Sequence, residues 1–169
     1  YPALCFAISH KEFDIAKAIL SSEQCDVNAE MTRSSHAIEE KEWSALAETK
    51  IPALCFAIDS NNIEIVKLLL SSSKINVNAD YVSEHYYYNS GAEEEEEEKE
   101  DKNEKEIGWI LERKINPPLS LAVKKSNKEI IKLLLQNKEI DLNKIDDQNK
   151  KAIDYADDEE IKKIFQEFK

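Results

Sequence analysis

The segment Pro2-Ala3-Leu4-Cys5-Phe6-Ala7-Ile8 recurs as Pro52-Ala53-Leu54-Cys55-Phe56-Ala57-Ile58. A looser copy stands at Pro117-Pro118-Leu119-Ser120-Leu121-Ala122-Val123. A second apolar block follows each copy at the same distance, over 13–20, 63–70 and 128–135. Each unit then closes on Asp26-Val27-Asn28, Asn76-Val77-Asn78 or Asp141-Leu142-Asn143. Self-similarity of this kind restricts the chain to folds in which one small motif is copied and stacked.

The motif reads as two helices. Leu54, Ala57 and Ile58 follow the i, i+3, i+4 spacing of one apolar stripe. Proline suits the start of the first helix, where backbone N–H groups have no internal partner. Ala7, Ala57 and Ala122 share one slot, where a small side chain lets another backbone come close. The second block is apolar at Ile63, Ile65, Val66, Leu68, Leu69 and Leu70, almost all the way round. Such a helix must be covered on several sides, so neighbouring units have to stack and share a core. Ser60-Asn61-Asn62 and Lys125-Ser126-Asn127 join the helices. Asn and Ser cap helices and accept turn conformations, so the chain manages with only two glycines.

This pattern resembles the ankyrin repeat, whose consensus runs T-P-L-H-L-A-A, then L-E-I-V-K-L-L-L, then D-V-N. Ile63-Glu64-Ile65-Val66-Lys67-Leu68-Leu69-Leu70 matches the second block almost letter for letter. The consensus Thr is replaced by Pro2, Pro52 and Pro117, and the consensus His by Cys5, Cys55 and Ser120. The Thr–His bracing of the family is therefore expected to be missing. A degenerate fourth unit, Lys151-Ala152-Ile153-Asp154-Tyr155-Ala156 with Glu160–Phe165, has a half-polar second helix, as a terminal cap requires. The resemblance implies an all-α ankyrin-repeat solenoid of stacked helix-turn-helix units with extended inter-repeat fingers. Its expected organisation is one domain over 1–169. Repeats occupy 1–28, 51–78 and 116–143, inserts 29–50 and 79–115, and a C-terminal cap 144–169. The chain opens on Tyr1-Pro2 without a leader-like stretch, so a fragment of a longer array is expected.

The third connection, with Asp146-Asp147-Gln148-Asn149 as its tip, has the family's length, and the other two are much longer. Their last stretches are alike: Glu48-Thr49-Lys50-Ile51 against Glu112-Arg113-Lys114-Ile115, each preceded by a tryptophan, Trp43 or Trp109. Both read as extended fingers whose return arm packs an aromatic against the array. The second insert opens with a tyrosine cluster, Tyr81 and Tyr86–Tyr88, read either as a recognition patch or as the core of the finger. It continues from Glu93 to Glu106 with ten acids against three lysines. Adjacent like charges repel, so a disordered segment or a frayed helix is expected there. The run reads as a solvated linker or as a dock for a basic protein segment.

Several function classes are excluded. Two glycines cannot build a Walker loop or a G-x-G-x-x-G fingerprint. No apolar run approaches the roughly 18–20 residues of a membrane helix. A net charge of −12 without a clustered basic stripe argues against nucleic acid. Cys5, Cys25 and Cys55 form no C-x-x-C pair and fit a reducing, intracellular compartment, the cytoplasm with the nucleus left open. Cys5 and Cys55 read as buried structural thiols. His10, His36 and His85 share no ligand spacing, no calcium-loop spacing occurs, and nothing suggests a nucleophile with its base. No metal, cofactor, small-molecule substrate or catalytic residue is expected. The resemblance implies a protein-binding scaffold or adaptor that uses its concave face and finger tips. The residues it points to are Ser9, His10, Asp59, Ser60, Lys124 and Lys125 at the ends of first helices, with Asp147 and Gln148 at the short finger. Two other readings stay open: a regulatory module of a larger enzyme whose catalytic domain lies outside this segment, and a structural spacer.

Overall fold

A computed structural model describes residues 2–35, 44–89 and 108–168. Three helix hairpins run along the chain: α1 (Ala3–Ser9) with α2 (Phe13–Leu20), α3 (Ala53–Asp59) with α4 (Ile63–Leu70), and α5 (Pro118–Lys124) with α6 (Lys128–Leu135). Pro2, Pro52 and Pro117 precede the first helices with the extended backbone that a helix entry needs. Asn62 and Asn127 cap the second helices, each accepting the N–H of the residue three further on, Ile65 and Ile130, at 2.9 Å. The turns between helices pass through left-handed backbone at Lys11, Asn61 and Ser126, with φ of 62°, 56° and 54°. No glycine serves these turns. Asn61 is at home there, whereas Lys11 and Ser126 hold the conformation against their Cβ atoms.

First helices stack on first helices, α1 on α3 on α5, and second helices on second, α2 on α4 on α6. Leu4, Leu54 and Leu119, with Ile65, Val66, Leu69, Ile130, Ile131 and Leu134, form one continuous buried core. The D-V-N asparagines tie one unit to the next. Asn28 donates to Lys74 O at 2.7 Å and accepts from Asn76 N–H at 2.6 Å. Asn78 repeats the arrangement one unit on, with Glu139 O and Asp141 N–H. Outside the core, Lys17 meets Glu64 at 2.5 Å and Lys67 meets Glu129 at 2.8 Å, so the E-I-x-K spacing links successive second helices. The fourth unit shrinks its first helix to one 3-10 turn, Ala152–Tyr155, packed on α5. Its second helix, α7 (Glu159–Glu167), buries Ile161, Ile164 and Phe165 and leaves Glu159, Glu160 and Lys163 in water.

The expectation of an all-α fold is corrected by the inserts. They form a four-stranded antiparallel sheet in the order β1 (Glu30–Ser35), β2 (Ser44–Pro52), β3 (Tyr81–Asn89), β4 (Gly108–Asn116). Each finger is a hairpin, and stacking of the units lays the two hairpins side by side. The backbone groups on the facing edges of β2 and β3 then satisfy each other, from Lys50 opposite Val82 to Ser44 opposite Tyr87. A bulge at Leu46, between Ala45 and Ala47, interrupts that pairing once. The short third finger closes with an Ile145–Lys151 bridge around its turn. The acidic run 93–106 and Trp43 lie outside the described residues.

Candidate protein-binding face

Residues expected to bind occupy one position in each unit. Ser9 ends α1 and His10 follows it; Asp59 ends α3 and Ser60 follows; Lys124 ends α5 and Lys125 follows. Ser9 and Ser60 turn their hydroxyls back to Phe6 O and Phe56 O, at 3.0 and 2.8 Å. The His10 ring stacks on Phe6 with centroids 4.0 Å apart, and Phe6 is 48% exposed. Asp59 and Lys125 meet across units at 2.7 Å, with side chains 62% and 45% exposed. A pair that open to water contributes about 0–1 kcal/mol, so a ligand can re-partner either member at little cost.

The sheet adds a wall that sequence reasoning missed. Arg33 of β1 lies 5.8 Å over the ring of Phe56 in α3, so its side of the sheet faces the first helices. In register with it run Thr49, Ser83 and Lys114 on the other three strands. Phe6, His10, Met31 and Arg33 line a cavity of about 240 Å³ between helix ends and sheet. Thr49 and Lys114 hold one row of this wall, although the likeness of the two insert ends sets Thr49 against Arg113 and Lys50 against Lys114, so it did not reveal the row.

Lys124, Asp147 and Gln148 are placed differently. Lys124 Nζ donates to Asn116 Oδ1 at 2.8 Å and to Asp146 Oδ2 at 3.2 Å, and lies 4.2 Å over the Tyr155 ring. The Tyr155 hydroxyl donates to the Asp146 carboxylate and, at 3.3 Å, to Gln148 Oε1. Asp147 Oδ1 accepts the Ile115 N–H of β4 at 2.9 Å. These groups join the short finger, the cap and the sheet. Asp146 is buried at their centre. Burial pushes its carboxyl up, but the Tyr155 hydroxyl, the Lys150 and Gln148 N–H groups and Lys124 outweigh that and hold it at about 2. Burial and the adjoining carboxylate push the Tyr155 phenol the other way, to about 12.

Cys5 and Cys55 are buried thiols, while Cys25 is half-buried. Burial first, then the Asp26 and Glu30 carboxylates, pushes Cys5 up to about 12, and burial raises Cys55 likewise. Their Sγ–H groups reach Ala29 O at 3.1 Å and Ala79 O at 3.5 Å, so each thiol supplies a weak version of the bracing the consensus His would give. Ser120 holds the same slot in the third unit, and its buried hydroxyl finds no partner. Among the described residues no group of three or more His, Cys, Asp or Glu is arranged to hold a metal ion. No helix among them is long and apolar enough to cross a membrane.

Family models described as ankyrin repeats match residues 51–80 and 114–144, the α3–α4 and α5–α6 units with their closing asparagines. Both matched units are ankyrin repeats. Ankyrin repeats are in general protein–protein interaction modules and in general not catalysts. A search of the curated proteins returns no match.

Proposed function

We propose that the chain is a non-enzymatic scaffold or adaptor that holds a protein partner between the ends of its first helices and the inner face of its sheet. The exposed Asp59–Lys125 pair carries this reading: two opposite charges on adjacent rigid units, both open to a ligand. Phe6 and His10 extend the same line with an exposed aromatic stack. Ser9, Ser60 and Arg33 flank it, while Lys124, Asp147 and Gln148 set the angle of the short finger beside it. Interface energy usually concentrates on aromatic and arginine side chains, and this face offers both. Three unpaired thiols, Cys5, Cys25 and Cys55, support a reducing intracellular setting. The absence of a basic stripe from the sequence supports a protein rather than a nucleic-acid partner.

Proximity labelling with the intact chain and with Asp59→Lys, Lys125→Glu and the double exchange tests this. Single reversals should change the captured set and the double exchange should restore part of it. An unchanged set in all three variants would exclude this face and favour a spacer.

A further inference from the structure

The helix-end face holds a cavity that two units build together. Phe56 of α3 and Leu121 of α5 line it from the helices, and Ile51 and Tyr81 line it from the bases of β2 and β3. Cys55, fully buried, forms its floor, and the exposed carboxylate of Asp59 stands at its mouth. Its volume of about 90 Å³ admits a side chain rather than a stretch of backbone.

Apolar walls with one carboxylate at the mouth suit a long cationic side chain. Its methylene stem lies along apolar surface while the charged head stays at the polar rim. Two of the walls are aromatic, and ring faces attract cations. Phe56 already draws the Arg33 guanidinium, 5.8 Å over its ring, from outside the cavity. The floor has the same preference. Burial first, then the Asp80 and Glu30 carboxylates, pushes the Cys55 thiol up, with a smaller opposing pull from Lys144.

Position narrows the choice further. The place that Asp59 takes at the end of α3 is taken by Ser9 in α1 and by Lys124 in α5. Among the three hairpins only the middle one offers a carboxylate there, so a basic residue is fixed to one unit. In the free protein Lys125 fills that role, with Nζ 2.7 Å from Asp59 Oδ1. An ammonium acts as a point charge, whereas a guanidinium gives a carboxylate two parallel hydrogen bonds and stacks on rings. A guanidinium is therefore the better partner for Asp59, and the exposed lysine can swing into water at little cost.

We propose that the cavity between α3 and α5 takes one arginine side chain of the protein partner, with its guanidinium on Asp59 and its stem between Phe56 and Tyr81. This rests on the helix-end reading and adds the chemistry of the residue at its centre.

The test titrates the intact chain with capped glycine–serine pentapeptides whose central residue is arginine, lysine or citrulline, followed by NMR. Citrulline keeps the shape of arginine and loses its charge. The arginine peptide should shift Phe56, Asp59, Tyr81 and Leu121. Citrulline should bind at least roughly tenfold more weakly, a gap that narrows as salt is added, and lysine should fall between them. Asp59→Asn should weaken the arginine peptide by roughly tenfold and leave citrulline unchanged. Lys125→Ala removes the resident competitor and should strengthen arginine binding, the opposite of what loss of a contact to the peptide would do. Equal binding of arginine and citrulline would overturn the proposal, and so would weaker arginine binding to Lys125→Ala. Shifts confined to Phe6 and His10 would overturn it too, while leaving the helix-end face in place. That face fails separately, when charge reversal at Asp59 and Lys125 leaves the captured partners unchanged.

Discussion

Asn78 Oδ1 accepts the backbone N–H of Asp141 at 2.9 Å across two successive units, while the same amide donates to Glu139 O at 2.7 Å. One side chain thus satisfies a donor and an acceptor in the loop of its neighbour. Asn78→Ala should lower unfolding free energy by about 1–3 kcal/mol, because both loop groups are left without their partner. Asn78→Asp keeps the acceptor and loses the donor, so it should fall between the two. Urea unfolding of the three proteins checks the order, and a silent alanine variant would show that the units are joined by apolar contact alone.

Ser120 carries a buried hydroxyl with no partner where the other units carry thiols bonded to a finger carbonyl. The carbon–sulfur bond is longer, so a thiol reaches where the hydroxyl does not. Ser120→Cys should therefore raise stability by about 1 kcal/mol, and Ser120→Ala should be neutral or mildly stabilising. Thermal melts of both variants decide it. A loss of stability in Ser120→Ala would mean that the hydroxyl is satisfied after all.

Asp146 should make the cap sensitive to acid. Its carboxyl is held at about 2 in the fold, against about 3.9 in an unfolded chain. The folded state then binds fewer protons than the unfolded one, so its contribution is complete above about pH 4 and is lost as pH falls toward 2. Asp146→Asn should be less stable than the parent at pH 7, with the difference shrinking between about pH 4 and pH 2. A difference independent of pH would assign the effect to hydrogen bonds alone.

Lys11 and Ser126 sit at positive φ between the helices of their hairpins. Lys11→Gly and Ser126→Gly should each stabilise by about 0.5–1 kcal/mol, since glycine has no Cβ to oppose that backbone. Asn61→Gly should gain less, because asparagine tolerates the region. Equal gains at all three sites would show that asparagine opposes this backbone as much as lysine and serine do, since the freer unfolded chain of a glycine variant only lowers stability.

The hairpins were legible because the apolar surface of Ile63–Leu70, which buries Ile65, Val66 and Leu69, needs neighbouring units to cover it, although Leu68 stays exposed. Capping by Asn62 and Asn127 was legible for the same local reason. The sheet was not. Its inner row, Arg33, Thr49, Ser83 and Lys114, is polar, so no two-residue hydrophobic period marks the strands. Pairing between fingers also depends on contacts far apart in sequence, which local spacing does not carry. Helix-end residues were located correctly in the chain, but spacing could not separate the exposed Asp59–Lys125 pair from Lys124, which Asp146 and Tyr155 hold.

Because β2 belongs to one finger and β3 to the next, the paired strands of the two inserts cannot change independently. A deletion that shortens the first would strip hydrogen bonds from the second, and an extension of either would leave fresh backbone without a companion. Only changes matched in both strands preserve the seam, so β2 and β3 are constrained as a pair although each belongs to its own unit.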